Sequence, residues 1–296
     1  MDYWYEGNLN ENANRREKDG IVYYIRGVRK VNGRHMERYG VQTHFVEEGE
    51  SYVRLVQDYV LPLYQPGDIL SISEKVISMC QENTVHMEDV KVGWLARFLS
   101  RFGHRTKSGI GVTEPHKLQL AINMRGSVRV LFAAVMGALG KLIGKRGLFY
   151  KILGVEVAGI DGFYDHSAFE SYHQMATLTP KNPDRVCQRI EEKTGIPTMI
   201  VDANDIDVVI LGESPQLKDI PDKILAAYIG DNPAGQDDEC TPFIYEDPEY
   251  GEVNVHIRIV GNGGQRFGDI GTNQCAYPIR QCTYCLLYTS PSPRDI

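Results

Sequence analysis

Two apolar runs that each lead into a carboxylate constrain the fold of this chain more than any other feature. They lie in the stretches 157–161 and 200–206, each of which puts a carboxylate at the end of an apolar, β-type run. Residues 184–193, which lie between them, have the apolar spacing of a helix. We expect an α+β fold with mixed sheets. Because a strand is expected to end at each carboxylate, Asp161 and Asp202 are expected to face a cleft.

Asp161 and Asp202 allow two interpretations. Hard divalent cations prefer several oxygen ligands, often one or two carboxylates together with nucleotide phosphates. In that interpretation the two aspartates bind Mg²⁺ or Mn²⁺. Asp is also favoured at helix caps and in turns, so in the other interpretation both residues are purely structural. The two residues by themselves do not decide between these interpretations.

The length and composition of the chain are those of a globular protein with a sizeable core. Its 296 residues suffice for one large domain or two closely joined ones. The longest apolar run, residues 130–140, is too short to cross a bilayer, so no membrane span is expected. The charged N-terminus predicts no signal peptide. Six cysteines without a framework spacing predict a reducing, cytoplasmic location.

Charge is strongly segregated along this chain, whose net charge is −7. Residues 91–151 hold twelve Lys and Arg against one acid, Glu114, whereas residues 153–252 hold twenty-one Asp and Glu against six Lys and Arg. A basic wall facing acidic turns suits a metal-bound polyphosphate, because cations bind the phosphates while carboxylates hold the metal. Alternatively, the basic side chains lie along the surface or pair with the acidic half. We expect no nucleic-acid partner.

Periodicity and turn residues predict the order of the secondary structure. Strands are predicted at residues 21–46, 69–77, 151–160, 198–202, 208–211 and 253–260. Helices are predicted at residues 52–63, 90–102, 114–124 and 184–193, together with a packed helix within 128–150 that is followed by a tight basic turn. Pro115 fits the first turn of its helix, where its missing N–H is tolerated.

Four parts are expected along the chain. Residues 1–20 are polar and predict a mobile lead. Residues 21–245 predict two intertwined, closely packed subdomains, and residues 246–284 predict a C-terminal β segment. Residues 285–296 resemble the translation of a transposase-type sequencing adapter. The natural chain is therefore expected to end, or to be cut, near residue 284.

Two Gly-Lys pairs do not complete a phosphate-binding loop. The pairs at residues 140–141 and 144–145 lack both the earlier glycine and the following hydroxyl residue that this loop requires. The glycine-rich turn after residue 260 lacks the last glycine of a dinucleotide-binding turn, because Arg266 stands there. No pattern in the sequence identifies a catalytic residue, so the catalytic residues stay unknown at this level.

Five short segments follow one another along the chain in a fixed order. They are residues 43–50 (THFVEEGE), 67–78 (GDILSISEKVIS), 158–161 (AGID), 178–184 (LTPKNPD) and 200–202 (IVD). Together they resemble the coenzyme F420-0:gamma-glutamyl ligase family over roughly residues 40–240. No single segment is highly specific, whereas five in the same order are.

The resemblance implies an activity and a set of site residues. Members of this family use GTP and a divalent metal to join L-glutamate to a carboxylate of a deazaflavin, and they are cytoplasmic homodimers. By position, Asp161 and Asp202 resemble the metal-binding aspartates of the family. The nucleotide contacts implied by the resemblance are Thr43, His44, Phe45, Val46, Glu74 and Lys75. The implied function is a metal-dependent, GTP- or ATP-dependent ligase that joins an amino acid to a carboxylate through an acyl phosphate.

The chain departs from the family pattern on the nucleotide side. Met79 stands where the family has a lysine, so one phosphate contact is lost or is supplied by Lys75. Tyr164 replaces an amide after the first metal-binding aspartate, and Ala203 replaces a hydroxyl residue after the second. These changes leave the metal carboxylates in place, but they predict an altered nucleotide or substrate.

Two further hypotheses belong to other classes of function. One is a non-catalytic or regulatory homologue that binds an anionic small molecule through the basic residues 91–151. The other is a protein that binds a membrane surface through the same residues. Nucleotide binding in the presence of metal separates the ligase from both.

Overall fold

The chain folds into two units with separate sheets, and the fold is α+β as the sequence predicts. The computed structural model describes residues 15–32, 34–102, 114–144, 147–163, 174–203, 208–230 and 256–260. The first unit comprises residues 1–83 and 180–276, and the second comprises residues 84–179 and 277–296. Along the chain, residues 84–179 of the second unit interrupt the first.

The secondary structure of the described residues is as follows. The strands are β1 (Arg15–Lys18), β2 (Ile21–Val31), β3 (Arg34–Val41), β4 (Asp68–Ser73), β5 (Thr84–His86), β6 (Asp161–Gly162), β7 (Met175–Thr177), β8 (Thr198–Ala203), β9 (Val208–Glu213) and β10 (His256–Val260). The helices are α1 (Tyr52–Leu55), which continues as a π-helical turn (Val56–Val60), α2 (Glu74–Cys80), α3 (Trp94–Ser100), α4 (Pro115–Arg125), α5 (Ser127–Leu142), α6 (Leu148–Leu153), α7 (Val155–Ala158), α8 (Pro183–Thr194) and α9 (Asp222–Ile229). Short 3₁₀ turns lie at Met87–Asp89 and Pro215–Leu217.

The sheet of the first unit has seven strands in the order β1–β2–β3–β10–β4–β8–β9. Its four central strands, β3, β10, β4 and β8, all run in the same direction. The outer pairs β1–β2, β2–β3 and β8–β9 are antiparallel. Strand β10 comes from the C-terminal part of the chain, and it lies between β3 and β4. Parallel neighbours need a crossover connection, and between β4 and β8 this connection contains residues 84–179 and α8.

Helices cover the sheet of the first unit. Buried side chains of three strands and helix α9 form one cluster: Met36, Ile69, Met199, Val201, Leu225, Tyr228 and Ile229. Helix α8 packs against β8 and β9. Gly212 in β9 permits the close approach, because a Cβ there would lie 2.5 Å from backbone atoms of Pro183 and Asp184. Leu70 and Ile200 are also fully buried, as is typical of strands with both faces covered.

The second unit combines a small sheet with helices α3 to α7. Its three strands are antiparallel in the order β5–β7–β6. The apolar core joins buried side chains of α4, α5 and α6, such as Leu118, Val130 and Leu153, to Phe163 and Ala176 around the sheet. Helix α4 begins with Pro115 at its first position, as predicted, and Glu114 caps it by accepting from the backbone N–H of His116.

The predicted strand at residues 151–160 is wrong, because α6 and α7 occupy it. Leu153, Val157 and Ile160 all join the core of the second unit. Leu153 ends α6 and Val157 lies in α7, and Gly154, with a φ of 92°, separates the two helices. A short apolar run does not distinguish such buried helical turns from a buried strand. The sequence predicted that Asp161 follows the end of a longer strand. In the structure Asp161 is instead the first residue of the short strand β6.

Other boundaries differ in smaller ways. The strand predicted at 69–77 ends at Ser73, and Glu74 begins helix α2. The helix predicted at 90–102 is shorter and covers Trp94–Ser100. The helix predicted at 184–193 and the strands predicted at 198–202 and 208–211 are confirmed as α8, β8 and β9. Their flanking Pro, Gly and β-branched residues give strong local signals.

Some predictions concern residues outside the described ranges. These include most of the N-terminal lead, the basic pair Lys145 and Arg146, the phenol of Tyr164, and the C-terminal tail at residues 285–296.

Candidate functional site

Three of the predicted site residues lie at the same edge of the large sheet, at or just beyond the ends of its strands. One register row crosses its four parallel strands and contains Val41, Val260, Ile72 and Ile200. Thr43, Glu74 and Asp202 each follow this row by two residues along the chain. Because the four strands run in the same direction, all three positions belong to the carboxyl edge of the sheet. Ligands of open sheets with parallel strands bind outside this edge.

Glu74 follows the end of β4, and Asp202 lies at the equivalent position of the adjacent strand β8. Ser73 of β4 and Val201 of β8 are register partners, and paired strands lie roughly 5 Å apart. Glu74 is buried at the start of α2. Asp202 is the second-last residue of β8, and it is half-buried. The sheet therefore presents two carboxylates from neighbouring strands at its carboxyl edge.

The loop after β3 contains the first predicted nucleotide segment, Thr43 to Val46. Thr43 is buried, and its hydroxyl donates to the carbonyl of His44 at 2.8 Å. Val46 is fully buried, which anchors the end of the segment in the core. Further along, the backbone N–H of Gly49 donates to the carbonyl of Met79 at 3.0 Å. This bond joins the loop to the last turn of α2, the helix that carries the second predicted segment.

His44 is held from both sides by side chains of the same unit. Its Nε2 lies 2.8 Å from Oε2 of Glu50, and its Nδ1 lies 2.8 Å from the hydroxyl of Tyr59. A carboxylate only accepts, so Nε2–H donates to Glu50. In the neutral imidazole Nδ1 then accepts from the Tyr59 hydroxyl. The rings of His44 and Tyr59 are tilted by 40° at 5.7 Å between centroids.

Two side chains beside this loop, Tyr59 and Cys80, have raised pKa values and are uncharged at neutral pH. Burial raises the pKa of Tyr59 above its ordinary value, and the charges of Glu50 and Asp58 raise it further, although a backbone hydrogen bond with His44 lowers it. Burial, with a smaller contribution from Glu50, raises the pKa of the Cys80 thiol to about 12. Cys80 is therefore protonated at neutral pH and unsuited to act as a nucleophile.

Helix α2 places its residues in two different environments. Glu74 and Met79 are buried, whereas Lys75 is only half-buried. Met79 replaces the lysine of the family pattern, and its side chain belongs to the core, with 2% of its surface exposed. A phosphate contact from position 79 is therefore absent, which leaves Lys75 as the cation of this segment.

The segment before α8 is fixed to the end of α2. The side-chain amide of Gln81 donates to the carbonyl of Lys181 at 2.8 Å, and its oxygen accepts from the backbone N–H of Lys181 at 2.7 Å. Asn182 follows with a left-handed φ of 48°, and Pro183 then begins the helix. This pair of bonds connects Gln81, which follows the second segment of the family pattern and caps α2, to the fourth segment within the first unit.

Asp161 lies in the second unit, in a tightly constrained position. Its side chain is buried, and its carbonyl accepts from the Thr177 hydroxyl at 3.3 Å. The next residue, Gly162, has a φ of 136°, and a Cβ there would lie 2.3 Å from the carbonyl oxygen of Met175. Strand β6 therefore lies so close to β7 that only glycine fits at position 162. This approach fixes the backbone of Asp161.

The donors present suit a hard divalent cation that is shared with a ligand. Within the ranges that the structure describes, His, Cys, Asp and Glu form no group of three that could hold a metal ion. Mg²⁺ typically binds one or two carboxylates together with phosphate oxygens and water, and does not require a cage of protein ligands. Asp202 in the first unit and Asp161 in the second each offer carboxylate oxygens, which are donors of this kind.

Sequence reasoning did not identify Glu50, Tyr59 and Gln81 as parts of this region. Glu50 belongs to the first family segment, yet its contact with His44 spans six residues of irregular loop. Tyr59 lies in a π-helical turn fifteen residues from His44, and Gln81 bonds a residue one hundred positions away. Such contacts have no periodic signature in a sequence.

These observations define an α+β protein whose parallel strands end at an edge that carries acidic residues and a fixed loop. A family model described as F420-0:Gamma-glutamyl ligase matches residues 40–210. The match includes the loop after β3, helix α2, Asp161 and Asp202. The chain therefore belongs to the F420-0:gamma-glutamyl ligase family, as its five segments predict. No curated protein matches the chain in sequence.

Proposed function

We propose that this protein is a metal-dependent ligase that uses GTP or ATP to join an amino acid to a carboxylate through an acyl phosphate. The observation that carries the proposal is the common edge of Thr43, Glu74 and Asp202, two residues beyond one register row of parallel strands. Membership of the F420-0:gamma-glutamyl ligase family supports the reaction class. L-glutamate is the amino acid that the family suggests.

The chemistry needs a phosphate donor because a carboxylate is a poor electrophile. In the proposed first step a carboxylate oxygen of the acceptor attacks the γ-phosphorus, and the bond from that phosphorus to the bridging oxygen breaks. The products are an acyl phosphate and a nucleoside diphosphate. In the second step the amine attacks the acyl carbon, inorganic phosphate leaves, and the nitrogen loses a proton to solvent. The enzyme supplies position and charge and needs no covalent nucleophile.

The residues of the candidate site have distinct roles in this proposal. The Thr43–Val46 loop, which His44 helps to hold through Glu50 and Tyr59, contacts the nucleotide together with Glu74. Lys75 offers positive charge to the phosphates. Asp161 and Asp202 are the proposed metal ligands. A bound Mg²⁺ or Mn²⁺ would neutralise charge that develops on the phosphate oxygens.

The deciding experiment measures phosphate release from GTP and from ATP with Mg²⁺ or Mn²⁺. The panel pairs carboxylates, including the deazaflavin precursor, with L-glutamate and other amines. A ligase releases phosphate only when acid and amine are both present, and mass spectrometry then detects the new amide. Asp202→Asn is expected to abolish the release, whereas Asp219→Asn, at an exposed carboxylate between the 3₁₀ turn Pro215–Leu217 and α9, is expected to retain it.

Nucleotide binding provides an independent test that does not depend on the right substrates. Lys75→Ala is expected to weaken GTP binding, and more at low salt because exposed charges are screened by ions. The absence of any nucleoside triphosphate binding in the presence of metal would refute the ligase. It would favour the non-catalytic homologue that binds an anionic small molecule through residues 91–151.

Sedimentation velocity tests the homodimer that the family resemblance implies.

A further inference from the structure

Helix α5 carries an apolar face that lies outside the core of the second unit. Its inner positions Val130, Ala133 and Gly140 are buried in that core. Six large apolar side chains point away from it and are 45% to 83% exposed: Val128, Leu131, Phe132, Val135, Leu139 and Leu142. A helix that is apolar on every side normally lies in a protein core or in contact with lipid.

The exposed side chains form one continuous stripe with basic borders. At 100° per residue the six side chains fall within an arc of about 100°. Arg129 lies beyond one border of this arc and Lys141 beyond the other, and both are exposed. Arg129 is also fixed in place, because its guanidinium donates twice to the carbonyl of Ile152, at 2.7 and 3.1 Å. Helices that lie in a lipid interface have this arrangement of an apolar face with Lys and Arg at its edges.

The length of α5 fits a helix that lies in the plane of a membrane. Its 16 residues extend over roughly 24 Å, which is less than the ~30 Å hydrocarbon core of a bilayer. Among the described residues no single helix is long and apolar enough to cross a membrane. Helices α4 and α5 meet that test only as a pair, with a bend of 119° between them.

Charge distinguishes between the possible partners of this face. Residues 91–151 carry twelve Lys and Arg and a single acid, Glu114. Two copies that met through this face would bring two basic regions together, and like charges oppose such a contact. An anionic lipid surface attracts the same residues, because its negative potential stabilises each nearby Lys or Arg.

We propose that α5 docks the second unit on the surface of an anionic lipid bilayer. The stripe from Val128 to Leu142 enters the boundary between headgroups and acyl chains, while Arg129 and Lys141 remain among the phosphates. This interaction goes beyond the ligase activity proposed above and does not depend on it.

The test is co-sedimentation of the full chain with vesicles. One set contains phosphatidylcholine and phosphatidylglycerol at 3:1, and the other contains phosphatidylcholine alone. We expect binding to the anionic vesicles that falls at least tenfold in the triple variant Leu131→Gln/Val135→Gln/Leu139→Gln. Leu61→Gln in the first unit, where the side chain is similarly exposed at 40%, serves as the control and is expected to leave binding unchanged.

A second variant keeps the proposal testable if the triple variant fails to fold. Lys141→Glu replaces one exposed border charge and is expected to weaken binding to anionic vesicles several-fold, with little effect on pure phosphatidylcholine. Equal binding of wild type and variants, or no binding to anionic vesicles, overturns the proposal. Loss of a concentration-dependent dimer in the triple variant, without vesicle binding, instead assigns the face to a second copy of the chain. Nucleotide turnover in solution is expected to be unchanged in Lys141→Glu.

Discussion

The imidazole Nε2 of His44 lies 2.8 Å from the carboxylate of Glu50. This contact fixes the loop after β3 at the carboxyl edge of the large sheet, where Glu74 and Asp202 also lie. It is formed by partly buried groups, with side-chain exposures of 42% for His44 and 27% for Glu50. The candidate nucleotide loop is therefore ordered by contacts within its own unit.

The first prediction concerns the strength of the His44–Glu50 contact. A double-mutant cycle with His44→Ala and Glu50→Ala is expected to give a coupling free energy of about 1 kcal/mol, the value of an ordinary hydrogen bond, because the partial exposure of both side chains screens the carboxylate charge. Urea denaturation of the four proteins measures it. The same cycle at the exposed pair Arg54 and Asp58, 3.5 Å apart, serves as the control and should give about 0.4 kcal/mol or less. Equal coupling at both pairs would show that the His44 contact does not order the loop.

The second prediction concerns the metal. Calorimetric titration with Mn²⁺ is expected to reveal a saturable site that Asp161→Asn and Asp202→Asn each weaken, by at least the roughly 10–100-fold that loss of a hydrogen-bond partner of a metal ligand costs. An amide loses the charge of the carboxylate but keeps its size, so the fold should be retained. Asp219→Asn serves as a matched control at an exposed carboxylate. Unchanged Mn²⁺ binding in both site variants, with intact folding, would remove the assignment.

The third prediction concerns Asp184 at the start of α8. Its Oδ1 accepts from the backbone N–H of Glu213 at 3.0 Å and from the Lys218 ammonium at 2.9 Å. The hydrogen bond from the Glu213 backbone lowers the pKa of Asp184 most, and the Lys218 ammonium lowers it further. Partial burial acts in the opposite direction, but the pKa stays below its ordinary value. The lowered pKa in the folded state means that the stabilisation is complete above pH ~4 and is lost as the pH falls through the folded value.

Thermal denaturation of Asp184→Ala across pH tests this linkage. At pH 7 the variant is expected to be less stable by about 1 kcal/mol, a modest value because both side chains of the ion pair are at least half exposed. The difference should shrink as the pH falls below about 4. Lys218→Met, which leaves the Glu213 bond intact, should show a smaller pH dependence. A difference between wild type and Asp184→Ala that stays constant down to pH 2 would contradict the linkage.

The fourth prediction concerns Gly162, the residue after Asp161. Gly162→Ala is expected to destabilise the protein by about 3 kcal/mol or more, because its Cβ would lie 2.3 Å from Met175 O and 2.4 Å from Ala176 Cα. Gly195→Ala is the control, since Gly195 also has a positive φ, 74°, in the left-handed region, but no heavy atom within 4 Å of a new Cβ. Its expected cost is about 1–2 kcal/mol from backbone strain alone. Urea midpoints compare the two, and similar losses would argue against a collision at β6.

Much of the local structure could be predicted from the sequence, and the errors have a common cause. Pro115 and Pro183 mark helix starts, and β8 is rich in β-branched and long aliphatic residues, so these elements are predicted correctly. Residues 151–160 are apolar in nearly every position, and such a run fits a buried strand or a buried helix equally well. Packing of Leu153, at the end of α6, and of Val157, in α7, into one core selects two short helices.

The candidate site was predicted in part. The family segments identify Thr43, Glu74 and Asp202 from the sequence, but only the strand order shows that they share one edge. That order depends on β10, which pairs with β3 and β4 from about two hundred residues away along the chain. The contact of His44 with Tyr59 is likewise a product of tertiary structure.

The sequence by itself determined the family, the α+β class and the local starts and ends of most elements, because these depend on residue type and on spacings within one or two turns. Tertiary structure alone decided three things: the alignment of the parallel strands, the contacts that hold His44, and the exposure of the apolar stripe on α5. Each depends on which distant segments pack together. The burial of Met79 illustrates the difference, since the sequence shows a lysine replaced there, and only the fold shows that the new side chain points into the core.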